Sequence, residues 1–572
     1  MKRKTFITLV SSAGGGVLLS SCSDRGTAGV PVKSGKKQIS EHLSADLVIA
    51  GGGLGACAAS IAACRNGLKV IMTEETDWIG GQVSQQGVPP DEHQWIETHG
   101  APASYREFRK GVRDYYKRNY HLTPEASSRE FLNPGDGSVS RLCHEPRVAV
   151  AVLNEMLAPY VSSGKLILLT DHKIKSADIE GDRVRSLEAI SLITGNKVIL
   201  SAPWFADATE CGDLLPLTGT EYITGTESKS ETNELHAPEK ADPENNQAFT
   251  VCFAMDYQPG IDNVKDPPAD YDFWKNYIPQ MTPPWSGKLL DLKYSNPRTL
   301  EPKELGFHPE GIQTGDALNL WNYRRIINRN NFLPGIYDGD ITIVNWPQND
   351  YFPGNIIDVS EKEFKKHVDA AKQLSLSLFY WLQTEAPRPD GKQGWPGLRL
   401  RGDIMGTEDG MAKYPYIRES RRIKAVFTVL EEHVGAENRK LVAGDEAGKR
   451  SAPFSDSVGI GYYHIDLHPS SQGNNYIDFP SLPFQIPLGA LLPQRMNNLI
   501  PANKNIGTTH ITNGCYRLHP VEWSIGEAAG CLVAFCKTKN APARAVRESR
   551  ELLDEFQNLI RSQGIETNWP ES

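Results

Sequence analysis

The chain has no CxxC pair and no Cys/His grouping at zinc-finger spacing among its nine cysteines, which argues against a metal site and against a disulfide scaffold. It has no basic stripe: the formal net charge is -9, and phosphate neutralisation needs clustered Lys and Arg, so nucleic acid is set aside as a partner. It has no internal repeat and no low-complexity block. It has no apolar run long enough for a good membrane span. What remains is a soluble globular composition, 39% hydrophobic and 23% charged over 572 residues, long enough for two or three domains.

The first residues depart from that composition. Lys2, Arg3 and Lys4 precede an uncharged stretch from Thr5 to Ser21, then Cys22, the layout of a secretory signal. Leu19-Ser20-Ser21-Cys22 resembles a bacterial lipobox, which implies cleavage before Cys22 and a lipid anchor there; an ordinary signal peptide with an incidental Cys is the alternative. Arg3-Lys4-Thr5-Phe6-Ile7 is similar to a twin-arginine signal with Lys in the second Arg place. Residues 23–43 are polar and aperiodic, as a flexible tether would be. The expectation is an exported protein, periplasmic or at the cell surface, touching a membrane only through Cys22.

From about residue 44 the pattern changes. Leu47 to Ala50 form a continuous apolar run, expected of a parallel strand buried on both faces. Gly51-Gly52-Gly53-Leu54-Gly55-Ala56 follows, then an Ala-rich helix, then a strand over Lys69 to Thr73. In a dinucleotide-binding βαβ unit the first glycine makes the tight turn, the second lets the backbone approach a pyrophosphate, and the third position packs helix on strand. Gly51, Gly53 and Ala56 fill these roles. Glu74 ends the second strand at the spacing where an acid accepts hydrogen bonds from ribose hydroxyls; Glu75 is the second choice.

Further on, Pro146 opens a helix through Leu157, and runs at 166–170, 174–179, 184–193 and 197–200 read as a strand and a β-meander. Residues from about 227 to 480 are rich in Pro, Asn, Asp, Trp and Tyr, with helices expected over Glu361 to Leu382 and Arg418 to His433. A helix from about Trp523 to Cys536 and a polar helical tail close the chain. The fold class is therefore α/β: a Rossmann-like three-layer domain, parallel sheet plus meander, built from 44–84, 140–226 and 482–540. An α+β substrate or cap domain (85–139 and 227–481) is inserted into it, and 541–572 form the tail.

Three later segments resemble the glutathione-reductase-like FAD oxidoreductases, and more narrowly a bacterial group of exported FAD-dependent oxidoreductases. Asp77-Trp78-Ile79-Gly80-Gly81-Gln82 is similar to the glycine pair beside the flavin diphosphate. Trp204 to Asp213 is similar to the Asp-Ala-Thr-Gly segment that returns to FAD, here Asp207-Ala208-Thr209 with Glu210 in place of the commoner Gly. Asn498 to Gly507 and Arg517 to Gly530 resemble the terminal strand and helix, whose N-terminus faces the flavin pyrimidine ring. The resemblance implies FAD as cofactor, with Gly526 and Ala529 permitting close packing against it.

It also places His510, and next to it His519 and Glu522, near the reactive ring, where hydride removal from an alcohol or amine needs a base. Arg418 and Arg421, in Ile417-Arg418-Glu419-Ser420-Arg421-Arg422, match a further signature of the group and stand as substrate-orienting groups. The function implied is hydride transfer from a small organic substrate to flavin. Trp-rich loops suggest a sugar or polyol. The alternatives are a flavin monooxygenase, although no second glycine fingerprint is present; a redox-assisted lyase or glycosidase using NAD or FAD; and a lipid-anchored nucleotide-binding protein without activity. Nothing in the spacing identifies the electron acceptor.

Overall fold

The computed structural model describes residues 40–313 and 315–570; the expected signal peptide, Cys22 and the tether up to residue 39 lie outside the described residues. Strands Ser40–Ser44 (β1) and Leu47–Ala50 (β2) lead into helix Leu54–Arg65 (α1) and strand Val70–Thr73 (β3). Helices Ala103–Asn119 (α2) and Pro146–Ser162 (α3) precede strands Leu166–Leu169 (β4), His172–Glu180 (β5), Arg183–Ser191 (β6), Lys197–Ser201 (β7) and Trp204–Asp207 (β8). The inserted part contributes Phe253–Tyr257 (β9), Arg325–Ile327 (β10), Ile341–Val344 (β11), Glu361–Thr384 (α4), Leu398–Leu400 (β12), Ile465–Leu467 (β13) and Ile477–Phe479 (β14). Leu499–Pro501 (β15), His510–Tyr516 (α5), His519–Lys539 (α6) and Arg550–Ser562 (α7) follow.

Five strands form a parallel sheet in the order β15-β8-β2-β3-β4. The two-residue period of a strand explains its burial on both faces. Leu47, Ile49, Val70 and Met72 point to a core shared with α1 and α6, while Val48, Ala50 and Ile71 point to a core shared with the meander β5-β6-β7. Helices, parallel sheet and meander are thus three stacked layers.

Strand β1 corrects the predicted end of the tether. Ser40–Ser44 runs parallel to β7 at the sheet edge, so residues 40–43 belong to the fold. An edge strand with most of its side chains in water carries no apolar period, which is why the sequence reads as linker.

The inserted part has its own antiparallel sheet, in the order β10-β11-β9-β12, covered by α4. The six Trp at 274, 285, 321, 346, 381 and 395 are all buried in its core. Five of them serve packing and are not the stacking loops suggested for a sugar ring; Trp346 also lines a cavity. All described residues nevertheless belong to one compact unit.

Two further expectations change. Segment 85–139 was placed with the cap, yet α2 lays Tyr105, Phe108, Val112 and Tyr116 into the core shared with α1 and α6, and Phe108 stacks on Trp523; these positions repeat at helical spacing and form one face. The helix expected over 418–433 is absent apart from Glu431–Val434. Ile423, Ala425 and Val429 are buried while Lys424 and Val426 are exposed, a period of two, and Arg422–Ile423 pairs with Tyr222–Ile223 as strand. The polar tail is docked: α7 buries Leu553, Phe556 and Ile560. No helix among the described residues is long and apolar enough to cross a membrane.

Candidate active site

The chain leaves β2 through Gly51, whose φ of +92° and a Cβ position only 2.3 Å from the Ala208 carbonyl oxygen admit glycine alone. Gly53 caps α1, and the first-turn amides of a helix have no acceptor within it. Glu74 closes the turn: the Gly52 N–H donates to its Oε2 (2.9 Å), and Thr76 N–H and Gln85 Nε2 donate to its Oε1 (2.8 and 3.0 Å). Glu75 points to Lys173 at 2.9 Å. Both acids, the glycine turn and Ala208, Thr209 and Glu210 line one cleft.

Gly80 and Gly81, both in the left-handed region, bring the next segment to this turn. The Gly80 N–H donates to the Gly52 carbonyl at 2.7 Å, and a Cβ on Gly81 would meet Glu210 Oε1 at 2.8 Å. Gln82 donates to Arg517 O (3.1 Å) and to Glu522 Oε2. Glu522 Oε1 in turn accepts from the Gly55 N–H at 3.1 Å. Glu210, which replaces the commoner Gly, pairs with Lys504 Nζ at 2.5 Å.

Asp207 and Gly526 take other parts than the resemblance implied. Asp207 is fully buried and holds its own loop, accepting from Thr209 N–H and Oγ1 and from Leu214 N–H (3.0, 2.7 and 3.1 Å). Gly526 faces the backbone of Gly55, where a Cβ would stand 2.0 Å from the carbonyl oxygen, so it serves the crossing of α1 and α6. Ala529 and Ala56 are buried in the same helix layer.

A second cavity, of about 990 Å³ with its mouth, opens between the β13–β14 ribbon and Arg517 in the junction of α5 and α6. Arg418 reaches it, with Nη2 2.9 Å from Asp350. Arg421 does not: it pairs with Asp213 and Asp358 (3.0 and 2.7 Å) beside the first cleft. The cause is the extended backbone, in which side chains three apart leave on opposite faces; the helix expected there would have put both on one.

His510 opens α5 with Nδ1 2.9 Å from Glu419, whose carboxylate also meets Arg422 at 2.5 Å; it borders neither cavity. His519 is buried, its Nδ1 accepting from the Asp91 N–H at 3.1 Å.

Several cavity residues escaped sequence reasoning. His468 lines the wall, Nδ1 2.6 Å from Asp350 Oδ2 and Nε2 3.6 Å from Asp466 Oδ2. Arg517 donates to Asp466 at 3.0 Å, and Arg324 pairs with Asp91 at 3.3 Å. His464, Asp466 and His468 alternate with buried Ile465 and Leu467, a polar face that the period of two could have revealed. Asp466 and Asp478 are cross-strand neighbours, and with His464 they bring ligand atoms within 4.8 Å of one another. Arg517 and Arg298 (3.2 Å from Asp478) supply counter-charge there.

Residues 46–560 match the family model described as FAD dependent oxidoreductase. The chain belongs to that family. Comparison with curated proteins gave no match. Among solved structures, the chain is similar to the Mycobacterium smegmatis Sdh1 complex in the apo form (13% identity, 30% of this chain and 34% of that chain, TM-score 0.21). It is similar also to FAD-complexed glycerol-3-phosphate dehydrogenase from Bacillus halodurans (13%, 37% and 40%, TM-score 0.22) and to E. coli quinol fumarate reductase FrdA (10%, 91% and 74%, TM-score 0.31). The chain thus spans about a third of the Sdh1 chain.

FAD is the cofactor of this oxidoreductase, and its residues fit such a group. Both amide atoms of Gln86, Glu210 Oε1 and Asn505 Oδ1 are buried without a hydrogen-bond partner, in or beside the segments that meet at the glycine turn. Buried polar atoms without partners are costly in a finished fold and point to a polar ligand.

Burial pushes the carboxyls of Glu74 and Asp207 up to about 7. It does the same to Glu522, where Lys504 pulls back and Glu210 adds to the rise. A carboxyl whose folded pKa exceeds its unfolded value binds more protons in the folded state, so stability is lost as pH rises from about 4 to about 7. The melting temperature is expected to fall between about pH 5 and about pH 8. Glu522→Gln should reduce that fall, being more stable than the parent at the upper pH only; thermal scans with equal slopes for both chains would contradict this.

Proposed function

We propose that this oxidoreductase oxidises a hydroxyl-bearing small organic molecule of the sugar or polyol class. The parallel sheet and its Gly51–Gly55 turn would be a Rossmann-like FAD site of the glutathione-reductase-like kind, and the substrate would occupy the cavity beside the β13–β14 ribbon. His468 carries the reading: an imidazole on the cavity wall, fixed by a buried carboxylate at 2.6 Å.

When bound, FAD supplies the two-electron acceptor for the hydrogen leaving carbon. The side chains supply the proton chemistry. With Nδ1–H donated to Asp350, His468 Nε2 would take the hydroxyl proton, and the imidazolium so formed would lie between the carboxylates of Asp350 and Asp466, 2.6 and 3.6 Å away. Burial raises the Asp350 carboxyl, but Arg418 and His468 outweigh it and hold the group below the usual carboxylate range, so it stays ionised behind the base. His519 has the opposite tautomer. Its Nδ1 accepts, so Nε2 carries the proton, and burial pushes its pKa down to about 4; it is a neutral donor and not a base. His510 and Glu419 have the same base-and-orienter form but border neither cavity, which favours His468.

Anaerobic mixing with a broad panel of sugars, polyols and their acids should bleach the flavin with at least one member. His468→Asn should keep its flavin and slow that bleaching by about 10² to 10⁴. A panel without effect, or a variant bleached at the parent rate, would overturn the reading.

Export and a lipid anchor at Cys22 are part of the proposal on sequence grounds. Labelling of bacteria with radioactive palmitate should mark the parent chain and not Cys22→Ser; equal labelling would refute the anchor.

A further inference from the structure

The wall of the second cavity is unbalanced in hydrogen bonding. Arg324, Arg418 and Arg517 are each held along their Nη edge: by Asp91 at 3.3 Å, by Asp350 at 2.9 Å and by Asp466 at 3.0 Å. In all three the Nε–H is buried without a partner. Asn345 Nδ2, Trp346 Nε1 and the Tyr476 hydroxyl share that condition on the same wall. Among the described residues, every partnerless buried polar atom of this wall can donate, and five of the six can only donate.

Three guanidiniums from three separate elements do not converge by local sequence. Arg324 immediately precedes β10, Arg418 lies on the extended segment before Glu419, and Arg517 joins α5 to α6. Each cation is neutralised by one carboxylate, and its Nε–H, although covered from solvent, is left without an acceptor at the cavity wall. A neutral polyol would bring donors as well as acceptors, and the partnerless set holds no dedicated acceptor for them. Asp91, Asp350, Asp466 and Asp478 balance Lys303 and the three arginines, so the wall carries no surplus charge and the unpartnered donors alone must offset a ligand's charge, which suits one carboxylate better than two.

We propose that the cavity binds its substrate through a carboxylate received by the Nε edges of Arg324, Arg418 and Arg517, which makes the substrate class a hydroxylated monocarboxylic acid such as a sugar acid. This deepens the proposed function and rests on it only in taking this cavity as the substrate site. Arg–carboxylate bonds are charge-assisted and directional, and the Asp350–His468 pair on the same wall would face the hydroxyl end of such a molecule.

The test is calorimetric titration of the full-length holoenzyme with D-gluconate, D-galacturonate and D-glycerate, each beside its uncharged amide. At least one acid should bind about 10- to 100-fold more tightly than its amide. Arg517→Lys, which keeps a cation for Asp466 but has no Nε–H, and Arg324→Gln should each lose most of that preference while retaining parent flavin content. Acids binding no more tightly than their amides, or variants that keep the preference, would overturn the proposal. Flavin content and bleaching are read separately. Neutral sugars that bleach flavin without any acid preference would sink this inference and leave the redox reading intact. Acid preference in a protein that holds no flavin would do the reverse.

Discussion

Gly526→Val is expected to yield no soluble chain. A Cβ at 526 would stand 2.0 Å from the Gly55 carbonyl oxygen, and one at Gly530 would stand 2.3 Å from that of Ala59, so α1 and α6 cross with their backbones in contact. Overpacking a core costs about 1–3 kcal/mol when side chains can yield. Here the obstacle is backbone in a helix that also carries the glycine turn, so the cost should exceed that range and take much of a typical domain's stability with it. Gly164→Asn is the control. Its φ is +71° with nothing within 4 Å of the added Cβ, and Asn tolerates that conformation, so a change under about 1 kcal/mol is expected. Comparison of soluble yield and melting temperature checks both; a folded valine variant would show that the helix crossing can open.

Gly53→Ala should separate folding from cofactor binding. Its Cβ would meet the side-chain ends of Glu522, Glu210 and Asn503, at 3.0, 3.1 and 3.5 Å, and no backbone atom among these nearest neighbours, so the obstacle can give way. The added methyl and the displaced carboxylates would then occupy the approach to the first-turn amides of α1, where a pyrophosphate needs contact with bare backbone. Flavin affinity should drop by about 100-fold, close to 3 kcal/mol, with a melting temperature near that of flavin-free parent protein. Full flavin content in the purified variant would place the phosphates elsewhere.

The difference between these two glycines shows where sequence reasoning works. The βαβ unit was legible because its signals are local: four apolar residues, a glycine cluster, an Ala-rich helix and Glu74 at the end of the next strand all lie within residues 47–74. The meander and α4 were legible for the same reason. Gly526 was read as a cofactor residue because a Gly/Ala-rich helix start looks alike whether it faces a ligand or another helix.

The second cavity was hardly legible. Asp91, Asp350, His468 and Arg517 meet there from far-separated segments, and no spacing in one sequence records such a meeting. Arg418 was found and Arg421 misplaced by one wrong period: a charged stretch taken as helical is extended, which turns 421 toward Asp213. The strand Ile465–Leu467 carried a usable signal, His464, Asp466 and His468 alternating with apolar residues, but three polar positions are too short a pattern to tell a cavity wall from a solvent face.

The central claim is that FAD lies across the Gly51–Gly55 turn in a protein that uses it. The most direct measurement is the absorption spectrum of the purified full-length chain before and after acid denaturation, with chromatography of the released nucleotide. The account predicts flavin bands and release of FAD in near-equimolar amount. A colourless chain that FAD cannot reconstitute would contradict it.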